Sequence, residues 1–162
     1  MADIRLPLGG LKFSVRVAIL CVVDGRLLVH TMTGQDFAFL PGGALGTGED
    51  VVECAGREWA EETGTVPGDL RVVGVVENFF GPRDHPQHEI GFYLRMTDPP
   101  PLPEGGFAVA DDPEGRFRWL PVGEVAAYPV LPTGVGELLD VPEGQVRHVV
   151  RRGRFWGVGA GR

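Results

Sequence analysis

The sequence predicts an α/β domain, a mixed β-sheet with helices packed on it. Three observations carry that expectation. Runs rich in β-branched and apolar residues recur along the chain at 12–23, 26–32, 70–80, 89–96 and 117–120. One long segment, Val51 to Thr63, carries a complete set of helix signals. Strands lie before, around and after that helix, the pattern of a sheet covered by helical layers. A chain of 162 residues with 43% hydrophobic and 23% charged residues is long enough for one core, so residues 1–152 are expected to form a single domain.

Taken in order, Lys12 to Val23 reads as the first strand. Asp24-Gly25 is a hairpin signal, and Arg26 to Met32 returns beside it. His30 alternates into that second strand, where a histidine is most often a satisfied side chain. Thr33 to Asp36 turns, and Phe37 to Leu40 leads into a glycine-rich loop. Pro67-Gly68 breaks the chain before Leu70 to Phe80. Gly81 to His88 is a loop carrying Arg83, a candidate phosphate contact, with His85 and His88, which lack a third partner for a zinc site. Glu89 to Met96 alternates as a strand. Residues 98–113, rich in Pro, Gly and acids, read as a loop ahead of the short strand Phe117 to Leu120. Pro121 to Ala127 is expected to make one or two helical turns, Thr133 to Leu139 a short second helix, and Gln145 to Arg152 a basic strand or helix end.

The main helix is bounded by local chemistry. Asp50 with Glu53 forms a capping box, and Gly64 suits the left-handed position that ends a helix. Val52, Ala55 and Trp59 fall on one stripe and are expected to face the core. Glu58, Glu61 and Glu62 share the adjoining face at i, i+3 and i+4. They repel one another and crowd the negative end of the helix dipole. Arg57 can pair with Glu61, and Glu53 can reach Arg57, but one arginine does not neutralise three acids. A hard divalent cation would; a solvated acidic face is the alternative reading. Ahead of the helix, Pro41-Gly42-Gly43 and Gly46-Thr47-Gly48 give a loop with little side-chain bulk and free N–H groups, suited to close approach or phosphate binding.

Together the stretch resembles the Nudix box, G-x5-E-x7-R-E-U-x-E-E-x-G-U, where U is a bulky apolar residue. The fixed positions match at Gly43, Glu49, Arg57, Glu58, Glu61, Glu62 and Gly64. Two packing positions depart: Trp59 is larger than the usual aliphatic residue, and Thr65 is polar. The Leu40-Pro41-Gly42-Gly43 lead-in and Arg116 to Pro121 extend the likeness over about residues 15 to 140.

The resemblance implies the Nudix fold, an α/β/α sandwich with a mixed central sheet. It also implies a pyrophosphohydrolase acting on a nucleoside diphosphate linked to another group X. By position, Glu58, Glu61 and Glu62 would ligate Mg²⁺ or Mn²⁺, with Arg57 orienting them. Glu49 would support them or a second metal, and Gly42 and Gly43 would meet substrate through the backbone. Asp111, Asp112 and Glu114 are the candidates for a general base, folding back toward the helix. Phe37, Phe39, Phe79, Phe80 and Tyr93 could wall a base, though aromatics in strands usually belong to the core. The alternatives are a Nudix-fold nucleotide-binding or regulatory module without hydrolysis, and a Nudix-fold isomerase.

Charge and composition bound the partners. Every Asp and Glu lies at or before Glu143, while residues 144–162 hold five arginines and no acid. The body therefore stands at −12 within a net charge of −7. Such a body suits neither duplex nucleic acid nor an anionic membrane, although metal ions allow it a nucleotide or nucleotide conjugate. The Gly/Arg-rich tail at 153–162 suits docking on an acidic body, its own or that of a homodimer partner, or contact with substrate phosphate. No apolar run is long enough to span a bilayer, and the first residues lack a secretory pattern, so a cytoplasmic protein is expected. Cys21 and Cys54 then read as buried free thiols.

Overall fold

The structure is a computed structural model and describes residues 1–132 and 134–153. The strands are β1 (Arg5–Leu8), β2 (Leu11–Leu20), β3 (Val22–Val23), β4 (Arg26–Met32), β5 (Ala38–Phe39) and β6 (Gly42–Ala44), then β7 (Asp69–Phe80), β8 (Gln87–Thr97), β9 (Phe107–Val109), β10 (Asp112–Pro121) and β11 (Arg147–Arg152). One α-helix, α1 (Val51–Thr63), stands between β6 and β7. The helical turns expected after Pro121 and Thr133 are single 3₁₀ turns, Val122–Glu124 and Val135–Leu138. Of the tail at 153–162, all but Gly153 lies outside the described residues, and with it the docking and homodimer contact expected there.

The main sheet runs β1-β2-β8-β7-β11, with β6 also on β2. It is mixed: β2 lies parallel to β8 and β7 parallel to β11, while the other pairs are antiparallel. The second sheet, β3-β4-β10-β9 with β5 on β4, is antiparallel. The strand expected as Lys12 to Val23 breaks at Cys21, where the chain passes from one sheet to the other. Its carbonyl accepts from the Leu28 N–H at 2.9 Å. The hairpin turn uses positive φ at both central residues, Asp24 (50°) and Gly25 (73°), which matches strand twist.

Alternation along β2 sets the layers. Val17, Ile19 and Cys21 pack with Ala55 and Trp59 of α1 and with Leu94 and Phe117. Ala18 and Leu20 face the other way, joining Tyr93, Val125, Val135 and Leu138. The sheet is thus sandwiched between α1 and the segment carrying the two 3₁₀ turns.

Helix α1 has the boundaries its sequence predicts. Asp50 Oδ1 accepts from the Val52 and Glu53 N–H groups, Glu53 Oε2 accepts from the Asp50 N–H, and Gly64 ends the helix at φ 70°. Two side chains differ from expectation. Val52 is 46% exposed, and the buried stripe runs instead through Cys54, Ala55, Trp59 and Glu62. Glu53 does not reach Arg57, because its carboxylate is used in the capping box.

The two departures from the box belong together. Trp59 is fully buried, and its indole N–H needs an acceptor. Thr65 Oγ1 accepts it at 2.9 Å and is held in turn by Thr63 Oγ1 at 2.8 Å. The polar residue at 65 therefore answers the polar edge of the large residue at 59.

Candidate active site

Arg57 is the centre of the site. Its Nε and Nη2 donate to the two oxygens of Glu49 at 3.1 and 2.6 Å, a forked pair. Its Nη1 donates to Glu58 at 2.9 Å and to Glu61 at 3.2 Å. Three of the four box glutamates thus meet one guanidinium, placed by the helix period and by the loop that returns Glu49. Glu49 also accepts from the Gly46 N–H at 2.7 Å, which ties the loop to the helix. The Arg57 pair holds the Glu49 carboxyl down at about 2, and the same bonds raise the guanidinium above its ordinary value.

Glu62 is the fourth acid and is treated differently. It is buried, at 6% exposure, and accepts from the Gly42 N–H at 3.2 Å. Burial pushes its carboxyl up to about 8, and burial also raises Glu58. Glycine is required in β6 for two separate reasons. A side chain at Gly43 would overlap the Glu58 carboxylate, and one at Gly42, whose φ is 144°, would overlap the Val17 carbonyl.

The 110–112 turn closes on the end of α1. The Ala110 N–H donates to the Glu62 carbonyl at 2.7 Å. Asp112 Oδ2 lies 3.5 Å from His30 Nε2, and His30 Nδ1 lies 3.9 Å from Glu62 Oε1. His30 packs on Phe117, makes no hydrogen bond through its buried Nε2, and burial lowers its pKa. The structure therefore brings Asp111 and Asp112 to the acids of α1, with the Asp111 charge acting on both Glu58 and Glu62. Glu114 points to a different hollow, shared with Arg26 and Trp119. Exposed Arg83 sits between β7 and β8 and does not line the cleft beside Glu62. His30 was not separable by sequence from any other strand histidine; only the pairing of β4 with β10 sets it beside Asp112.

Among the aromatics, Tyr93 is core, Phe39 lines the cleft beside Glu62, and Phe79 stacks on His88 at 4.3 Å. His85 lies instead by Asp84, exposed. Among the described residues no three His, Cys, Asp or Glu side chains converge as a preformed ligand set; Glu49, Glu58 and Glu61 are bonded to Arg57 and Glu62 to the Gly42 N–H.

The NUDIX domain profile matches residues 12–139, most of the chain. The chain belongs to the Nudix family. A curated Nudix relative, the uncharacterised Nudix hydrolase YvcI of Bacillus subtilis strain 168, is 28% identical over 122 residues, 74% of each chain. Among solved structures, a MutT protein of Bacillus halodurans superposes with a TM-score of 0.69 at 17% identity, covering 89% of this chain and 93% of that one. An ADP-ribose pyrophosphatase of Streptococcus suis superposes at 0.52 with 14% identity, covering 85% and 98%. These likenesses are of the Nudix fold, and its mixed sheet and single main helix are those described above. Among the described residues of this Nudix protein no helix is long and apolar enough to cross a membrane.

Proposed function

We propose that this Nudix hydrolase splits the phosphoric anhydride of a nucleoside diphosphate joined to another group, with water attacking phosphorus. The gathering of all four box glutamates around Arg57 and the Gly42–Gly43 strand supports this reading. The donors are oxygen alone, which fits a hard cation such as Mg²⁺ or Mn²⁺. Glu58, Glu61 and Glu62 would hold it, and Glu49 would support them or hold a second ion. Such an ion supplies charge neutralisation for the phosphates and acidity for water.

The chain's own residues do the rest. Arg57 fixes Glu49, Glu58 and Glu61 in register through its rigid fork. The Gly42 N–H orients Glu62, and the bare backbone at Gly43 leaves room against Glu58. Asp111 and Asp112 would take the proton from water, a role supported by the Ala110 bond that holds their turn to the helix end.

Glu61→Gln tests the reading. Glu61 is exposed, so its replacement should leave the melting temperature within about 2 °C, an effect of roughly 0.5 kcal/mol. Turnover should fall at least a hundredfold. Retained turnover would contradict the role given to Glu61, and ligand binding without turnover in either form would favour a binding module instead.

A further inference from the structure

A cleft of about 330 Å³ opens beside the glutamates, with Gly42, Gly43 and Glu62 on its inner wall. Its floor is the face of two parallel strands. Lys12 and Ser14 of β2 pair with Gln87 and Glu89 of β8, and Arg16 pairs with Gly91. The same face continues inward as Ala18, Leu20 and Tyr93, which are core. The floor therefore changes from apolar to polar at Arg16, the cation nearest that boundary.

Arg16 is half-buried, and its Nε is buried without a hydrogen-bond partner. Among the described residues, neither Arg16 nor Lys12 has an ion-pair partner, although the chain carries a net charge of −7. Arg5, on the same cleft, pairs among the described residues only with the exposed Asp3 at 3.6 Å. Glu62 feels the Arg16 charge but accepts from the Gly42 N–H, and Glu89 accepts from Ser14 Oγ at 3.3 Å, so neither carboxylate is ion-paired with Arg16. A buried guanidinium N–H without an acceptor calls for one from outside the protein. A planar fork followed by an exposed ammonium along one strand suits successive phosphate groups.

We propose that Arg16, with Lys12 outward of it, binds a phosphate of the substrate beyond the two of the nucleoside diphosphate. The group X is then itself phosphorylated, as in a nucleoside triphosphate or a dinucleoside polyphosphate, in preference to a neutral sugar. This assignment of substrate class rests on the hydrolase reading; the anion site itself does not.

The test has two arms. In the first, inorganic tripolyphosphate is titrated in EDTA into the wild type, R16Q, R16K and R118Q. Arg118 is an exposed arginine outside the cleft and controls for net charge. The wild type and R118Q are expected to bind alike, R16Q at least tenfold more weakly, and R16K in between. In the second arm, KM is compared with Mg²⁺ for a nucleoside triphosphate, a dinucleoside polyphosphate and a nucleoside diphosphate sugar. R16Q is expected to raise KM at least tenfold for the substrates with phosphorylated X, with little change in kcat or in KM for the sugar conjugate. The relative rise for the first two tells which carries the phosphate that Arg16 meets. No tripolyphosphate binding by the wild type, equal binding by R16Q, or an equal rise in KM for all three substrates overturns the proposal. The first arm needs no turnover, so its result stands apart from the fate of the hydrolase reading. R16K supplies a folded comparison if R16Q is unstable.

Discussion

Trp59 and Thr65 form a pair whose value can be measured. Removing the hydroxyl in Thr65→Val leaves the buried indole N–H without its acceptor, at a cost of about 1–3 kcal/mol. In the Trp59→Leu background the same change removes nothing the indole needs. Chemical denaturation of both single variants and the double variant should then show coupling of at least ~0.5 kcal/mol, and additive effects would count against the pairing. Cys21 carries a second prediction at this scale. Burial pushes its thiol from 9.0 up to about 12. The folded value lies above the unfolded one, so this contribution to stability is whole below pH 9 and is lost as pH rises toward 12. Denaturation midpoints at pH 8, 9.5 and 11 should fall more steeply for the wild type than for Cys21→Ala. Parallel falls would mean the thiol is not the cause.

At the scale of the element, α1 is held by its ends as well as its face. Asp50→Ala removes two accepted N–H bonds and one side of the capping box, and should cost about 1 kcal/mol. The cap lies just over two turns from Glu58, so turnover should persist; a loss of activity with unchanged stability would show that the cap positions the site. The helix was legible in the sequence because its start, stop and box are local patterns. The strands were less so. β1 is exposed at all four residues and exists through pairing with β2. β6 is Gly-Gly-Ala, which reads as loop because glycine has poor strand propensity, yet three residue pairs with β2 make it a strand. β9 and the first half of β10 lie in a segment of Pro, Gly and acids; β9 pairs with β10 across the short 110–111 turn with a register shift, and β10 is anchored by β4, distant in sequence. The basic stretch near 150 is a strand only because β7 offers it an edge.

Over the whole molecule, two long-range facts complete the site. Pairing of β4 with β10 carries Asp112 to His30, and the Ala110 bond docks that turn on α1. The box residues were legible in the sequence because they sit on one helix and its lead-in. Arg16 and His30 were not, since each gains its setting from strands distant in sequence. Charge is also distributed across the fold. Arg147 bonds the Glu137 carbonyl and Asp140, Arg151 pairs with Glu137, and His148 meets Glu77 at 2.7 Å. The basic strand β11 thus lies against acids of its own chain. The proposal that four glutamates and one arginine make a metal-dependent hydrolase is tested most directly by product release. Phosphate and pyrophosphate would be measured across nucleotides and nucleotide conjugates, with Mg²⁺, with Mn²⁺ and with EDTA. Turnover of one substrate class is expected with metal, abolished by EDTA and restored by added metal. Turnover unaffected by EDTA, or none across the panel while metal binds, would contradict the proposal.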